Sequence, residues 1–136
     1  MQDERDDAFG SGGEVRLVVP AAPEYLRLVR LTAAGLASRM GFTFDEVEDL
    51  RIAVDELCFL LLGHGEGEHD LSRVMELRYS AGRDSIGIEG YTELAGAPPE
   101  PSELSMQILS ALVDEHEVDG RGSKVRFRLL KRREAT

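Results

Sequence analysis

Glu56 and Leu60 stand four residues apart in the segment FDEVEDLRIAVDELCFLLL, whose apolar residues repeat with a helical period. Side chains at that spacing share one helix face, so the two address the same space. A glutamate there has the chemistry of a general base, but its neighbour offers no metal ligand, because a hard cation requires oxygen atoms and leucine has none. A second group, His64, Glu66, Glu68, His69 and Asp70, crowds one loop with residue types that bind divalent ions. Its histidines are five apart in a glycine-bearing loop, not four apart on a helix, so a solvated acidic loop is expected instead. The glycines of GEGEH follow a helix, whereas a phosphate loop follows a strand, and the acidic residues between them repel phosphate. The single cysteine, Cys58, falls on an apolar helical stripe and reads as a packed thiol.

These residues depend on two helices for their placement. Pro23 suits a first helical turn, and Tyr25, Leu26, Leu28, Val29, Leu36 and Met40 recur close to the 3.6 period until Gly41 stops them. Thr43 followed by Glu46 forms a capping box, and Val47, Leu50, Ala53, Val54, Leu57, Cys58 and Leu61 make the stripe of the second helix. Arg27, Arg30, Arg39, Glu46, Glu48, Asp49 and Asp55 are expected on the exposed faces as a mixed polar surface. Val15, Leu17 and Val19 alternate as a first strand ended by Pro20, and Val74, Glu76–Tyr79 and Ser85–Glu89 predict two more strands joined through Ala81 and Gly82. Ser102 caps a third helix over residues 103–117 with Leu104, Ile108, Leu109, Leu112 and Val113 as its stripe, and GRGSKVRFRLL closes as a strand. The order β-α-α-β-β-α-β implies an α+β fold, a two-layer sandwich of a mostly antiparallel sheet with three helices on one face. The expected organisation is a flexible arm over 1–13, a single domain over 14–130 and a solvated basic tail over 131–136.

Composition excludes several classes. At 136 residues, 42% hydrophobic and 31% charged, the chain is one globular domain, neither fibrous nor disordered. A net charge of −10 argues against nucleic acid and suits a protein partner with a basic face. One cysteine allows no internal disulfide, no run approaches a membrane span, and the acidic start lacks the features of a signal peptide. A cytoplasmic location and no membrane partner are the expectation.

The segment from Glu24 to Leu62 resembles the opening of the anti-sigma factor serine kinase family, a branch of the histidine-kinase-like (GHKL) ATPases. The likeness covers about residues 14–130 and implies that family's fold. It also assigns roles. Glu56 matches the family's general base for phosphoryl transfer to a serine hydroxyl, and Leu60 replaces the asparagine that holds the magnesium of ATP. The adenine-reading aspartate falls on Gly90, with Glu89 as the only acidic neighbour, able to reach the pocket only through a one-residue bulge. The glycine pair that admits the phosphates falls on Glu103 and Ser105, the first of which is bulky and repels phosphate. Magnesium binding, adenine reading and phosphate cradling all depart from the pattern. Glu56 is then expected as a polar residue at the rim, or as a buried carboxylate bonded to nearby backbone or to Arg51.

The resemblance and these departures lead to a non-catalytic regulatory module, a pseudokinase that associates with a sigma factor or its phosphorylatable antagonist, often as a homodimer. No cofactor is expected. One alternative is an active ATP- and magnesium-dependent serine/threonine kinase with a rearranged pocket; another is a structural dimerisation domain.

Overall fold

The structure, a computed structural model, describes residues 13–62, 73–93 and 100–134. The His64–Asp70 loop, the acidic arm before Gly13 and most of the proline-rich loop lie outside the described residues.

The first strand, β1 (Glu14–Pro20), leads through a short 3₁₀ turn at Pro23–Tyr25 into α1 (Leu26–Arg39). Gly41 ends that helix with φ of +88°, a left-handed conformation that costs glycine nothing. Gly41 N–H donates to Ser38 O and Phe42 N–H to Ala37 O, both at 3.1 Å, the paired bonds of a Schellman motif. The chain then turns at once into α2 (Phe44–Leu62). The capping box predicted there is present. Thr43 N–H donates to Glu46 Oε1 at 2.7 Å and Glu46 N–H to Thr43 Oγ1 at 3.1 Å, while Phe42 and Val47, the two positions of a hydrophobic staple, are both buried.

The strands β2 (Val74–Ala81), β3 (Ser85–Glu93), β4 (Glu115–Arg121) and β5 (Lys124–Arg132) complete a five-stranded sheet in the order β1-β2-β3-β5-β4. All four pairings are antiparallel. The third helix, α3 (Glu103–Leu112), joins α1 and α2 on one face. Side chains alternate as a half-covered sheet requires: Met75, Leu77 and Tyr79, Ile86 and Ile88, and Val125, Phe127 and Leu129 meet the buried stripe of α2. Tyr79 is fully buried, and its hydroxyl donates to Val29 O of α1 at 3.0 Å, which pins the helix hairpin to the sheet. Burial pushes that phenol above its ordinary range, so it stays a neutral donor. Arg30 and Asp55, at 2.9 Å, tie α1 to α2, and Arg73 caps the end of α2 by donating to Leu61 O and Leu62 O.

Several expectations need correction. The third helix, expected to run to residue 117, stops at Leu112, and residues 115–121 form an additional strand, β4. The pairing wins because Asp114 N–H donates to Leu130 O at 2.9 Å and the Asp114 carboxylate accepts Arg132 N–H at 2.6 Å, which draws the chain onto β5. Leu28 and Leu104, placed on apolar stripes, are exposed, and Glu46, placed on a solvated face, is buried. Lys131 and Arg132, assigned to a solvated tail, are the last residues of β5. Lys131 is buried, with its ammonium donating to Leu112 O at 2.7 Å and standing 3.8 Å from Asp49.

Candidate functional site

The predicted site residues lie on three elements. Glu56 and Leu60 are on α2, Glu103 and Ser105 open α3, and Glu89 and Gly90 belong to β3. Ser102 caps α3 by accepting Ser105 N–H at 3.0 Å, as its position before an apolar helix predicts. The same hydroxyl donates to Ser105 Oγ at 3.1 Å, and Ser105 Oγ donates in turn to Glu56 Oε1 at 2.9 Å. Both serine hydroxyls therefore give and accept, and their chain ends on the carboxylate. This bond fastens the start of α3 to the middle of α2. Of the partners expected for Glu56, Arg51 is not the one used: it donates to Glu48 at 2.8 Å.

Leu60 is 7% exposed and belongs to the core cluster, so it packs instead of lining an open space. Gly90 is likewise a core position. A Cβ built there would fall 2.6 Å from Phe127 Cε2 and 3.0 Å from Leu61 Cδ1, a separation real side chains do not adopt. The glycine is thus the counterpart of the Phe127 ring, directly across the β3–β5 pairing.

Glu89 points the other way. The β3 register against β2 and β5 is continuous, with no bulge to turn it over. It sits on the open face of the sheet, opposite Arg128, and accepts the Tyr91 hydroxyl at 2.6 Å. Glu103 is exposed at the first position of α3. The structure therefore joins Glu56 to Ser105, keeps Leu60 and Gly90 in the core beside them, and separates Glu89 by the thickness of the sheet.

Thr92 was not anticipated. It follows Gly90 on the core-facing side, is buried, and donates its hydroxyl to Val74 O at 2.8 Å, so its one proton is already committed. A lone threonine at the end of an apolar strand carries little signal in sequence. Among the described residues no group of three or more His, Cys, Asp or Glu side chains is arranged to hold a metal. Cys58 is fully buried, and burial, then the nearby Asp55 charge, pushes its thiol well above the usual range, as expected of an inert packing residue. Two clefts, of about 680 and 390 Å3, lie on the open face of the sheet around Arg78, Glu76 and Tyr91 and around Arg78, Glu89 and Arg128.

Residues 19–129 match the family model described as histidine kinase-like ATPase domain. The chain belongs to this family. Within it, the chain is 42% identical over 74 residues to the serine-protein kinase RsbW of Bacillus subtilis (strain 168), covering 54% of this chain and 46% of that one. The RsbW of Bacillus velezensis is 39% identical over a stretch of the same coverage. The chain thus spans under half the length of these curated relatives. A crystal structure of the RsbU and RsbW domains of a Mycobacterium tuberculosis protein superposes with a TM-score of 0.69 at 15% identity, covering 88% of this chain and 32% of that one. At that identity the likeness speaks for the histidine kinase-like fold. No described helix is long and apolar enough to cross a membrane.

Proposed function

We propose that this histidine kinase-like ATPase domain is a non-catalytic regulatory module that acts by binding a protein, with a sigma factor or a sigma-factor antagonist as its partner. The relatives named RsbW are serine-protein kinases, which supports the regulatory setting. The observation that carries the non-catalytic part is the filling of position 90. Where the family likeness calls for an adenine-reading carboxylate, the Phe127 ring occupies the path of any side chain. The surrounding residues do not fit a magnesium-bound nucleotide either. Leu60 supplies no oxygen, and Glu103 adds negative charge at the helix start that a phosphate would approach. Glu56, held by Ser105, serves here to fix α3. The net charge of −10 favours a basic partner face.

The test is thermal melting with and without millimolar magnesium ATP, followed by calorimetry. A nucleotide present at 100 times its dissociation constant would add about 2.7 kcal/mol of stability, a shift of several degrees for a domain of this size. No shift is expected. A clear one would overturn the proposal in favour of an active kinase with a rearranged pocket. In the same experiments Glu56→Ala is expected to leave partner association intact, with loss of the Ser105 bond lowering stability by about 1 kcal/mol. Affinity capture followed by mass spectrometry is expected to identify a sigma factor or an antagonist. Recovery of the chain alone would favour a structural role.

A further inference from the structure

The face of the sheet turned away from the helices holds the larger cleft, about 680 Å3, which the roles of Glu56, Leu60 and Gly90 leave unused. The pleat builds it. Val74, Glu76 and Arg78 on β2, Tyr91 on β3 and Arg126 on β5 point outward, and the two registers set Tyr91 directly between Glu76 and Arg126. Val74 is half-exposed and the Tyr91 ring partly buried, which gives the middle of the cleft an apolar floor. The Tyr91 hydroxyl is committed to Glu89, and the Arg78 guanidinium stands 5.5 Å from the centre of the ring, so cation and aromatic face the cleft together.

The charges lining this cleft are unevenly spent. Glu76 takes both Arg16 and Arg78, at 2.7 and 2.9 Å, and Asp119 takes Arg126 at 3.3 Å. Two guanidinium groups on one carboxylate leave positive charge in surplus beside Tyr91. Arg78 commits only its Nε, so among the described residues its two terminal nitrogens have no bond. Arg73 donates to the carbonyls of Leu61 and Leu62, which satisfies N–H groups without neutralising the charge. Lys124 forms no ion pair among the described residues, although Glu93 lies directly opposite it across β3 and β5. Four cations and three carboxylates line the cleft in a chain of net charge −10, so it is a donor-rich spot on an acidic molecule.

We propose that this cleft binds a small organic anion with a flat apolar body, an aryl phosphate or an aryl carboxylate. The body lies on Val74 and the Tyr91 ring, and the anionic head accepts N–H groups from Arg78 and Lys124. A guanidinium suits such a head because its planar fork offers two parallel donors. The volume falls within the roughly 300–1,000 Å3 of small-molecule sites. Since the acidic chain repels anions in general, a head with no body to bury is held weakly. The site lies on the opposite face of the sheet from Glu56 and does not depend on whether nucleotide binds there.

Calorimetry and amide NMR on the full chain test this with four probes: phenyl phosphate, benzoate, inorganic phosphate and benzyl alcohol. At least one aryl anion is expected to saturate the protein at millimolar concentration or below, about tenfold tighter than inorganic phosphate or benzyl alcohol, because only an aryl anion engages donors and floor together. The tighter of the two aryl anions identifies the head group. The largest amide shifts are expected over residues 74–78, 91–93 and 124–126. Arg78→Ala and Lys124→Ala, both exposed positions, should each weaken binding about tenfold with circular dichroism unchanged. Glu93→Gln should strengthen it, by removing the carboxylate that faces the head group. Failure of both aryl anions to saturate overturns the proposal, as does inorganic phosphate binding equally well. So do shifts centred on Glu56 and Ser105, or an affinity that Arg78→Ala and Lys124→Ala leave unchanged.

Discussion

Gly90→Asp is expected to abolish cooperative folding at ordinary temperatures, although this is the substitution that would restore the carboxylate called for by the family likeness. The new Cβ would start 2.6 Å from one Phe127 ring carbon and 2.9 Å from another, and Phe127 is fully buried, with no solvent-side rotamer to take. Overpacking of this kind costs about 1–3 kcal/mol, and a carboxylate buried without a partner adds several more. The sum, roughly 4 kcal/mol or above, is a large share of the ~5–15 kcal/mol that holds a domain together. Gly90→Ala isolates the steric part and should cost about 1–3 kcal/mol by urea titration. Phe127→Ala alone should cost about 3–5 kcal/mol, and the double variant should cost clearly less than the two together, because the alanine ring deletion leaves room for the new methyl. A Gly90→Asp protein that melts like the wild type and gains magnesium ATP binding would mean that position 90 opens onto a pocket.

Glu46→Ala carries the second large expected loss, about 2–3 kcal/mol, because one side chain caps the start of α2 and ties it to the segment after β5. Its Oε1 accepts Thr43 N–H at the start of α2, and its Oε2 accepts Glu134 N–H at 2.7 Å just beyond β5. Removing it frays the helix start and releases a backbone donor 88 residues away. The charge state matters as well. Burial pushes this carboxyl up, but the N–H donors of Thr43 and Glu134, the Thr43 hydroxyl and the Lys131 charge outweigh it and hold the group below its ordinary value of 4.5. A carboxylate with a depressed folded-state value adds stability that is fully present above the unfolded value and is lost as pH falls through the folded one. The wild type should therefore lose stability as pH drops below about 4.5, and Glu46→Gln should lose less over the same window. Parallel acid-melting curves for the two proteins would contradict this account.

The legible parts of the chain were those where local chemistry and tertiary packing agree. Gly41 and the Thr43–Glu46 box fix the helix hairpin from within a few residues, and the α2 stripe from Val47 to Leu61 is buried along its length as its period demands. β4 was missed because Glu115, His116 and Glu117 continue a helical pattern in sequence, and only the pairing with β5 pulls them straight. A usable signal was present: Gly122 and Ser123 form a two-residue hairpin turn, with Gly122 at φ of +64°, between Arg121 and Lys124. The Glu56–Ser105 bond was out of reach, since it joins residues 49 apart on helices whose relative placement no local pattern records. Gly90 was legible as a missing side chain but not as a space taken by Phe127, because the β3–β5 register brings them together across a sequence gap that contains α3 and β4.

The place of β5 between β3 and β4 sets a timetable for the chain as it is made. Residues up to Arg132 must have left the ribosome before β3 gains its second neighbour, so α1, α2 and the first three strands wait with an open seam. A stop codon within β5 would remove the strand that holds Phe127 and Leu129 in the core and leave β4 with nothing to pair with. Nascent chains arrested before that point are expected to engage chaperones, and release of β5 is the event that closes the domain.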